Sequence, residues 1–566
     1  MKSMRSSVPF SRPCVLLASF VLILFTSALT AAQTWVSTAT QAVGPALLNA
    51  VSQGSLPDST PIHVNVALQI QNRNALVSYV QQIGTPGSPL FEQELQPSDF
   101  VAGYAPSSSQ VQSVVSYLSG AGFQNIQVEP NNLMIAADGT AATVRQAFNT
   151  QLGAFVVNGQ SVYANLSVAQ VPAELGGIVG SVLGLNNAAK MSIPSAKPAA
   201  ASVPVYPGEY RAKDLWVAYN VGNTPTGSKT AIAIFAEGNV SGVISDLRLA
   251  EKANSLPQVP VKVVQVGLAS PDTSGADEFD MDTQYSTGMA DNVSTLYIYA
   301  TTSMSDSDIA LMFNHFAAQK IARAGSASFG LCEVFAYLDG SMLADDNSFL
   351  EAAAQGQTVF ASTGDTGSSC AIEGTNGVPG SGPPMVEYPA SSPYVIGVGG
   401  TTLLTNSDDT YNTEIAWNAG GGGLSQFELS PYWQTSVNTA SDVGRSLPDI
   451  AMDADPYSGV YIWLDGTEQC CYGGTSLSSP LSLGVWARLQ SGHLNQLGNA
   501  GPVLYNGATP LPSPASPPGI NDIIVGVNGM YSATPGYDYT TGLGSFDVSE
   551  YNGTLPKPKS QTLRKP

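Results

Sequence analysis

The period of the apolar positions changes along this chain, and the changes divide it. Residues 14–25 form one continuous apolar run, short for a membrane span. Between residues 61 and 187 the periods are mixed. Alternation over 62–70 and 132–137 predicts strands, and helical spacing over 73–83, 107–118 and 141–152 predicts three helices, together a compact α+β unit. From about residue 208 the pattern becomes regular. Short apolar runs at 231–235, 259–266, 295–299, 326–330, 358–361 and 394–398 alternate with helical segments, notably 307–324 and 347–354. Strands alternating with helices imply a parallel sheet covered on both faces, which binds its ligand beyond the carboxyl ends of the strands. A stretch rich in Ala, Ser and Pro, residues 193–207, separates the two patterns and reads as an exposed, cleavable linker.

The ends of the chain add to this division. Lys2, Arg5 and Arg12 precede the first apolar run and small residues at 27–32 follow it, the layout of a secretory signal. Five segments are therefore expected: a signal peptide (1–32), an N-terminal α+β unit (33–190), a linker (191–207), the α/β domain (208–555) and a basic, disordered tail (556–566). The product is expected to be secreted, extracellular and free of the membrane once the signal is removed. Its 566 residues are enough for two or more domains with a large core.

Charge narrows the setting. Only 11% of residues are charged, and 42 Asp and Glu face 21 Lys and Arg. Such a surface gathers little positive charge when carboxylates protonate, which favours work in acid, and its negative excess argues against nucleic-acid binding. Cys14 leaves with the signal, so Cys332, Cys370, Cys470 and Cys471 remain; three pairings are open, and the spacing fits no zinc site.

The candidate chemistry centres on Gly473-Gly474-Thr475-Ser476-Leu477-Ser478-Ser479-Pro480, ahead of an apolar helix. A glycine turn opening a helix leaves the Ser476 hydroxyl exposed where backbone N–H groups and the helix dipole favour developing negative charge. A nucleophilic serine needs a base. The three histidines, His63, His315 and His493, stand in a strand-like run, a helical run and a loop, none in a catalytic setting, so a carboxylate is expected instead. Glu278 and Asp282 stand four apart and share a helix face, so they should hold one proton between them. Asp365 lies in a glycine-rich turn after an apolar strand. The string Asp365-Thr366-Gly367-Ser368-Ser369 imitates an aspartic-protease signature, but the chain lacks the second Asp-Thr/Ser-Gly that such chemistry needs.

Taken together, Ser476, the Glu278–Asp282 pair and Asp365 resemble the sedolisins, the serine-carboxyl peptidases. The likeness extends to Ser326-Ala327-Ser328-Phe329-Gly330, to Tyr388-Pro389-Ala390-Ser391-Ser392-Pro393 running to Gly399-Gly400-Thr401, to Gly420-Gly421-Gly422-Gly423, and to Leu447-Pro448-Asp449 running to Asp455-Pro456. The resemblance implies a subtilisin-like parallel twisted sheet with helices on both faces, preceded by a ferredoxin-like α+β prosegment. It also implies roles: Ser476 as nucleophile, Glu278 as general base, Asp282 as its orienting partner, Asp365 as oxyanion donor, and Ser326, Ser328, Phe329 and Gly330 as substrate-lining residues. One calcium ion is implied at Asp522 and Asp538 by side chain and at Ile523, Thr534 and Gly536 by carbonyl; Thr534 stands where a glycine is usual. These are the hard oxygen ligands that calcium takes.

The activity so implied is a secreted, acid-acting endopeptidase made as a self-processing zymogen. Its substrate would be protein or peptide, its prosegment both inhibitor and folding aid, and its state a monomer. A tripeptidyl-peptidase of the same chemistry and an inactive homologue acting as a binding protein are the alternatives, and all four catalytic side chains are present. The chemistry agrees with an acid setting. Near pH 4 only about 0.3% of ordinary histidine is neutral, whereas a glutamate of pKa about 4.3 accepts and returns a proton readily.

Overall fold

A computed structural model describes residues 33–47, 49–193, 209–370, 382–437, 443–509 and 514–558. The expected signal, most of the expected linker and the end of the basic tail lie outside them. Among the described residues no helix is long and apolar enough to cross a membrane.

The N-terminal part is built from β1 (Pro61–Leu68), α1 (Arg73–Gly84), α2 (Ser108–Gly120), β2 (Gln124–Val128), β3 (Met134–Thr140), α3 (Ala141–Phe148), β4 (Leu152–Val157) and β5 (Val179–Leu183). Strands β2, β3, β1 and β5 lie side by side in that order, every neighbouring pair antiparallel, which is the ferredoxin-like arrangement expected. Ile62, Val64, Val66 and Leu68 of β1 are buried with Val111 and Val114 of α2 and Val144 of α3. The third helix is shorter than its apolar spacing predicted. Asn149 takes the left-handed conformation after Phe148, which asparagine tolerates, and Leu152 begins β4 instead.

The larger part contains β6 (Ala231–Glu237), β7 (Val261–Gln265), α4 (Ala276–Ala290), β8 (Thr295–Thr301), α5 (Asp306–Gln319), β9 (Ala324–Ala327), β10 (Leu331–Cys332), α6 (Ser341–Ala354), β11 (Thr358–Ser362), β12 (Glu387–Tyr388), β13 (Ile396–Thr405), β14 (Tyr411–Ala416), β15 (Ile450–Asp453), β16 (Thr467–Tyr472) and α7 (Thr475–Gly492). Its main sheet runs β7–β8–β6–β9–β11–β13–β14, with β15 also on β13. All pairings are parallel except β13 with β14. Helix α5 stops at Gln319 rather than continuing to 324, because Lys320 turns left-handed and Ala324 already belongs to β9.

Burial on both faces explains the continuous apolar runs. Phe235 of β6 meets Phe313 and Phe316 of α5 edge-on, with ring centroids 5.1 and 5.2 Å apart. On the other face α7 packs against α4. A Cβ on Gly484 would lie 2.6 Å from Met289 Cβ, so the glycine lets the two helices approach closely. That approach brings the first turn of α7 to the first turn of α4.

The N-terminal part docks on α5 and α6. Asn65 Nδ2 donates to Ser307 O (3.0 Å), Leu95 N to Ala354 O (2.9 Å) and Asn131 Nδ2 to Glu351 Oε2 (2.7 Å). Arg323 forks onto Glu94 (2.6 and 2.8 Å), and His315 faces Glu129 (2.9 Å).

Candidate active site

Three predicted groups meet where α4 and α7 converge. Glu278 and Asp282 occupy successive turns of one face of α4, and Ser476 is the second residue of α7. All three are fully buried, so the serine hydroxyl, expected to be exposed, is enclosed among the helix starts. Thr475 joins them to the Asp365 turn. Its N–H and hydroxyl both donate to Asp365 Oδ1 at 2.8 Å, and its oxygen accepts from Gly364 N at 3.1 Å. The opposite oxygen, Oδ2, faces the glycine before Thr475: a Cβ on Gly474 would lie 2.7 Å from it.

The electrostatics follow from this enclosure. Burial, then the Asp282 charge, pushes the Glu278 carboxyl well above its usual range, while the Ser476 hydroxyl pulls it back. Burial likewise raises Asp282, against the Ser328 hydroxyl, whose Oγ donates to Asp282 Oδ1 at 2.6 Å. Both Glu278 oxygens, Asp282 Oδ2 and Ser476 Oγ close no hydrogen bond of normal geometry. Catalytic hydrogen bonds are often long or poorly aligned until substrate binds. Burial also raises Asp365, opposed by its two bonds from Thr475.

The predicted substrate-lining stretch behaves differently along its length. Ser326 Oγ is 2.7 Å from Ser479 Oγ in the core, Ser328 supports Asp282, and Phe329 packs beside Phe313. Gly330 keeps a free backbone edge, and a segment of the chain itself occupies it. Ser192 pairs antiparallel with Gly330: its N–H donates to Gly330 O (2.8 Å) and its carbonyl accepts from Gly330 N (3.2 Å). An extended peptide bound beside the nucleophile would use the same edge.

The histidines are engaged elsewhere. His63 meets Asp138, His315 meets Glu129, and the Nδ1 of His493 contacts Leu489 O. The cysteines pair as Cys332–Cys370 and Cys470–Cys471.

The expected calcium residues also converge. Asp522 accepts from Gly536 N (2.8 Å), and Asp538 accepts from Thr534 N (2.9 Å) and Thr540 N (2.8 Å). Burial and then the Asp538 charge raise Asp522, and burial raises Asp538. Among the described residues no hydrogen bond ends on the carbonyls of Ile523, Thr534 or Gly536. Two repelling carboxylates and three free carbonyls form a hard-oxygen donor set of the kind calcium takes. Thr534 is not among the residues with positive φ, so replacing a glycine there costs no backbone strain.

Known proteins of the same kind settle the affiliation. Sedolisin of Pseudomonas sp. (strain 101) is 37% identical over 551 residues, covering 92% of each chain. The chain belongs to the sedolisin family. Xanthomonalisin of Xanthomonas sp. (strain T-22) is 35% identical, over 87% of this chain and 65% of its own. The solved structure of Pseudomonas sedolisin, a serine-carboxyl proteinase complexed with two molecules of pseudo-iodotyrostatin, matches with a TM-score of 0.57 and 35% identity, over 62% of this chain and 98% of that one. The family described as "Pro-kumamolisin, activation domain" matches residues 49–188. The chain is thus a serine-carboxyl peptidase carrying an activation prosegment.

Two contacts around the site could not be read from the sequence. Ser328, expected to line the substrate, instead supports Asp282, which depends on the turn after β9 reaching α4. Glu387, which lies against the Asp365 turn, is separated from it by residues that predict no contact.

Proposed function

We propose that this chain is a secreted, acid-acting endopeptidase that frees itself from its prosegment. The observation that carries the reading is the buried meeting of Ser476 with a Glu278–Asp282 carboxyl pair and no histidine. Ser476 Oγ attacks the scissile carbonyl carbon and its proton passes to Glu278. Asp282, steadied by Ser328, shares the proton of the pair and fixes the position of Glu278. The carbonyl oxygen, now negative, accepts a hydrogen bond from protonated Asp365, whose Oδ1 Thr475 anchors and whose Oδ2 carries the proton. Glu278 returns its proton to the leaving amine, giving an acyl-enzyme and a free amino terminus. Water then attacks the ester, losing a proton to Glu278, and the acid product leaves as Ser476 regains its hydrogen.

The pairing of Ser192 with Gly330 supports a prosegment that blocks the cleft in a substrate-like way, with cleavage between about residues 189 and 207, in the stretch whose composition suits an exposed linker. A single calcium ion held by Asp522, Asp538 and the carbonyls of Ile523, Thr534 and Gly536 would stiffen the C-terminal loops; it supplies no step of the reaction. Residues 1–32 direct export, and the enzyme works as a monomer.

The test is a denaturing gel of the full chain before and after a shift to about pH 4, where carboxylate contacts weaken, run beside Ser476→Ala. Loss of about a third of the mass by the wild type alone supports the reading; an intact wild type that also fails to cut added protein refutes it. Internal cleavage of an N-acetylated peptide by the processed enzyme assigns endopeptidase action. Tripeptides released only from free amino termini would assign the tripeptidyl-peptidase alternative.

A further inference from the structure

Glu387 is an acidic side chain beside the reacting groups that the mechanism above does not use. It sits in β12, paired antiparallel with β10, so that Cys332 faces Glu387 and Leu331 faces Tyr388. Its carboxyl is wedged between two glycines. A Cβ on Gly364 would lie 2.4 Å from Glu387 Cδ, and a Cβ on Gly330 would lie 3.0 Å from its Oε2. Gly364 precedes Asp365, and Gly330 carries the edge that Ser192 occupies. The carboxyl therefore stands between the backbone edge that Ser192 occupies and the Asp365 turn.

No hydrogen bond among the described residues reaches this carboxyl, and the charged neighbour that acts on it is Asp365, of the same sign. Burial, then that charge, pushes it up to about 8. It lines a cavity of about 430 Å³ together with Leu331, Cys332 and Phe335 of the peptidase and with prosegment residues that include Lys190 and Ser192. Lys190 is the other charged residue of that lining, but its charge acts on Glu237 and Asp272, so Glu387 is left without a cation. Most of that lining belongs to the prosegment; when it leaves, Glu387 remains beside Leu331, Cys332 and Phe335.

We propose that Glu387 is a specificity-determining residue that selects a lysine or arginine side chain immediately before the bond to be cut. An ammonium or guanidinium group entering beside Leu331 and Phe335 displaces the Glu387 proton to solvent and gives the resulting carboxylate the partner it lacks, while Asp365 stays protonated as the oxyanion donor and the aliphatic stem packs on the apolar wall. A neutral apolar side chain of the same length fills the space but leaves the acid unpaired.

This inference rests on the endopeptidase reading, and its test separates the two. The processed wild type and Glu387→Gln are assayed on two peptides that differ only in arginine or norleucine before the cut. The wild type should favour arginine about 10- to 100-fold in kcat/KM, the range for a hydrogen bond to a charged group. Glu387→Gln should lose that preference through the arginine peptide and keep its norleucine rate within about threefold. A wild type without preference, or a variant that slows on both peptides alike, overturns the proposal. Mapping wild-type cuts in a denatured protein provides a readout that needs no variant: enrichment after lysine and arginine supports it, and even cutting overturns it. A wild type that cuts neither peptide nor protein refutes the endopeptidase reading itself.

Discussion

Asp365 offers the sharpest test of the proposed mechanism, because Thr475 engages only one of its two oxygens. Thr475 donates twice to Oδ1 at 2.8 Å, so that oxygen is an acceptor, and in the proposed mechanism the proton sits on Oδ2. Asp365→Ala removes one oxyanion donor, which costs about 2.7–4 kcal/mol and should lower kcat by about 10²- to 10³-fold with KM within about threefold. Asp365→Asn keeps an acceptor toward Thr475 and places an N–H donor at Oδ2 that no pH removes. Its kcat should stay within about tenfold of the wild type. The pH profile should separate them further. Burial raises Asp365, so the wild type holds the needed proton above the ordinary carboxylate range and loses activity as pH passes the raised value. The asparagine variant should lack that part of the alkaline limb. Each variant is processed in trans by wild-type enzyme, and kcat is measured by acylation burst and steady-state turnover across pH. An asparagine variant as slow as the alanine one, or an unchanged alkaline limb, refutes the assignment of Asp365 as a neutral donor.

Other perturbations test other parts of the molecule. Arg445, fully buried, holds Asp449 (Nη1 to Oδ1, 2.9 Å) and the carbonyl of Val395 (3.0 Å); Arg445→Met should destabilise by about 3–5 kcal/mol, read from urea midpoints on a Ser476→Ala background. Glu351 accepts from Asn131 of the prosegment, and burial pushes it up to about 8. The folded chain then keeps a proton that the unfolded chain releases above about 4.5, so this group's cost is absent in acid and grows as pH rises to about 8, at most about 1.4 kcal/mol per unit. Glu351→Gln should flatten the fall in stability between about pH 5 and 8; an identical slope in the variant would show that the group does not titrate in this way. Chelation should lower the melting temperature of the wild type, by the equivalent of about 2.7 kcal/mol when calcium had stood at a hundred times its Kd, and leave Asp538→Asn unmoved; equal responses would place the ion elsewhere.

The sequence by itself determined the chemistry and the class of fold. Glu278 and Asp282 are four residues apart, and helical geometry alone puts them on one face of α4. The continuous apolar runs of β6, β8 and β11 could only be strands buried on both faces, and the glycine turn before Ser476 marked the start of α7 whatever lay around it. Local periodicity also has limits. It ran α3 and α5 too far, because a left-handed residue at Asn149 or Lys320 leaves no trace in an apolar repeat.

Tertiary structure decided everything that depends on contact between distant segments. Three cysteine pairings were equally open until the chain brought Cys332 to Cys370. Ser328 became the support of Asp282, Ser326 turned into the core, and Glu387 arrived beside Asp365, none of them in a motif whose spacing implies it. The burial that lifts the carboxyl pair is likewise a property of packing. A pattern of residue types sets the turns of a single element, but the field and the partners around a side chain are set by whichever other elements the fold lays against it.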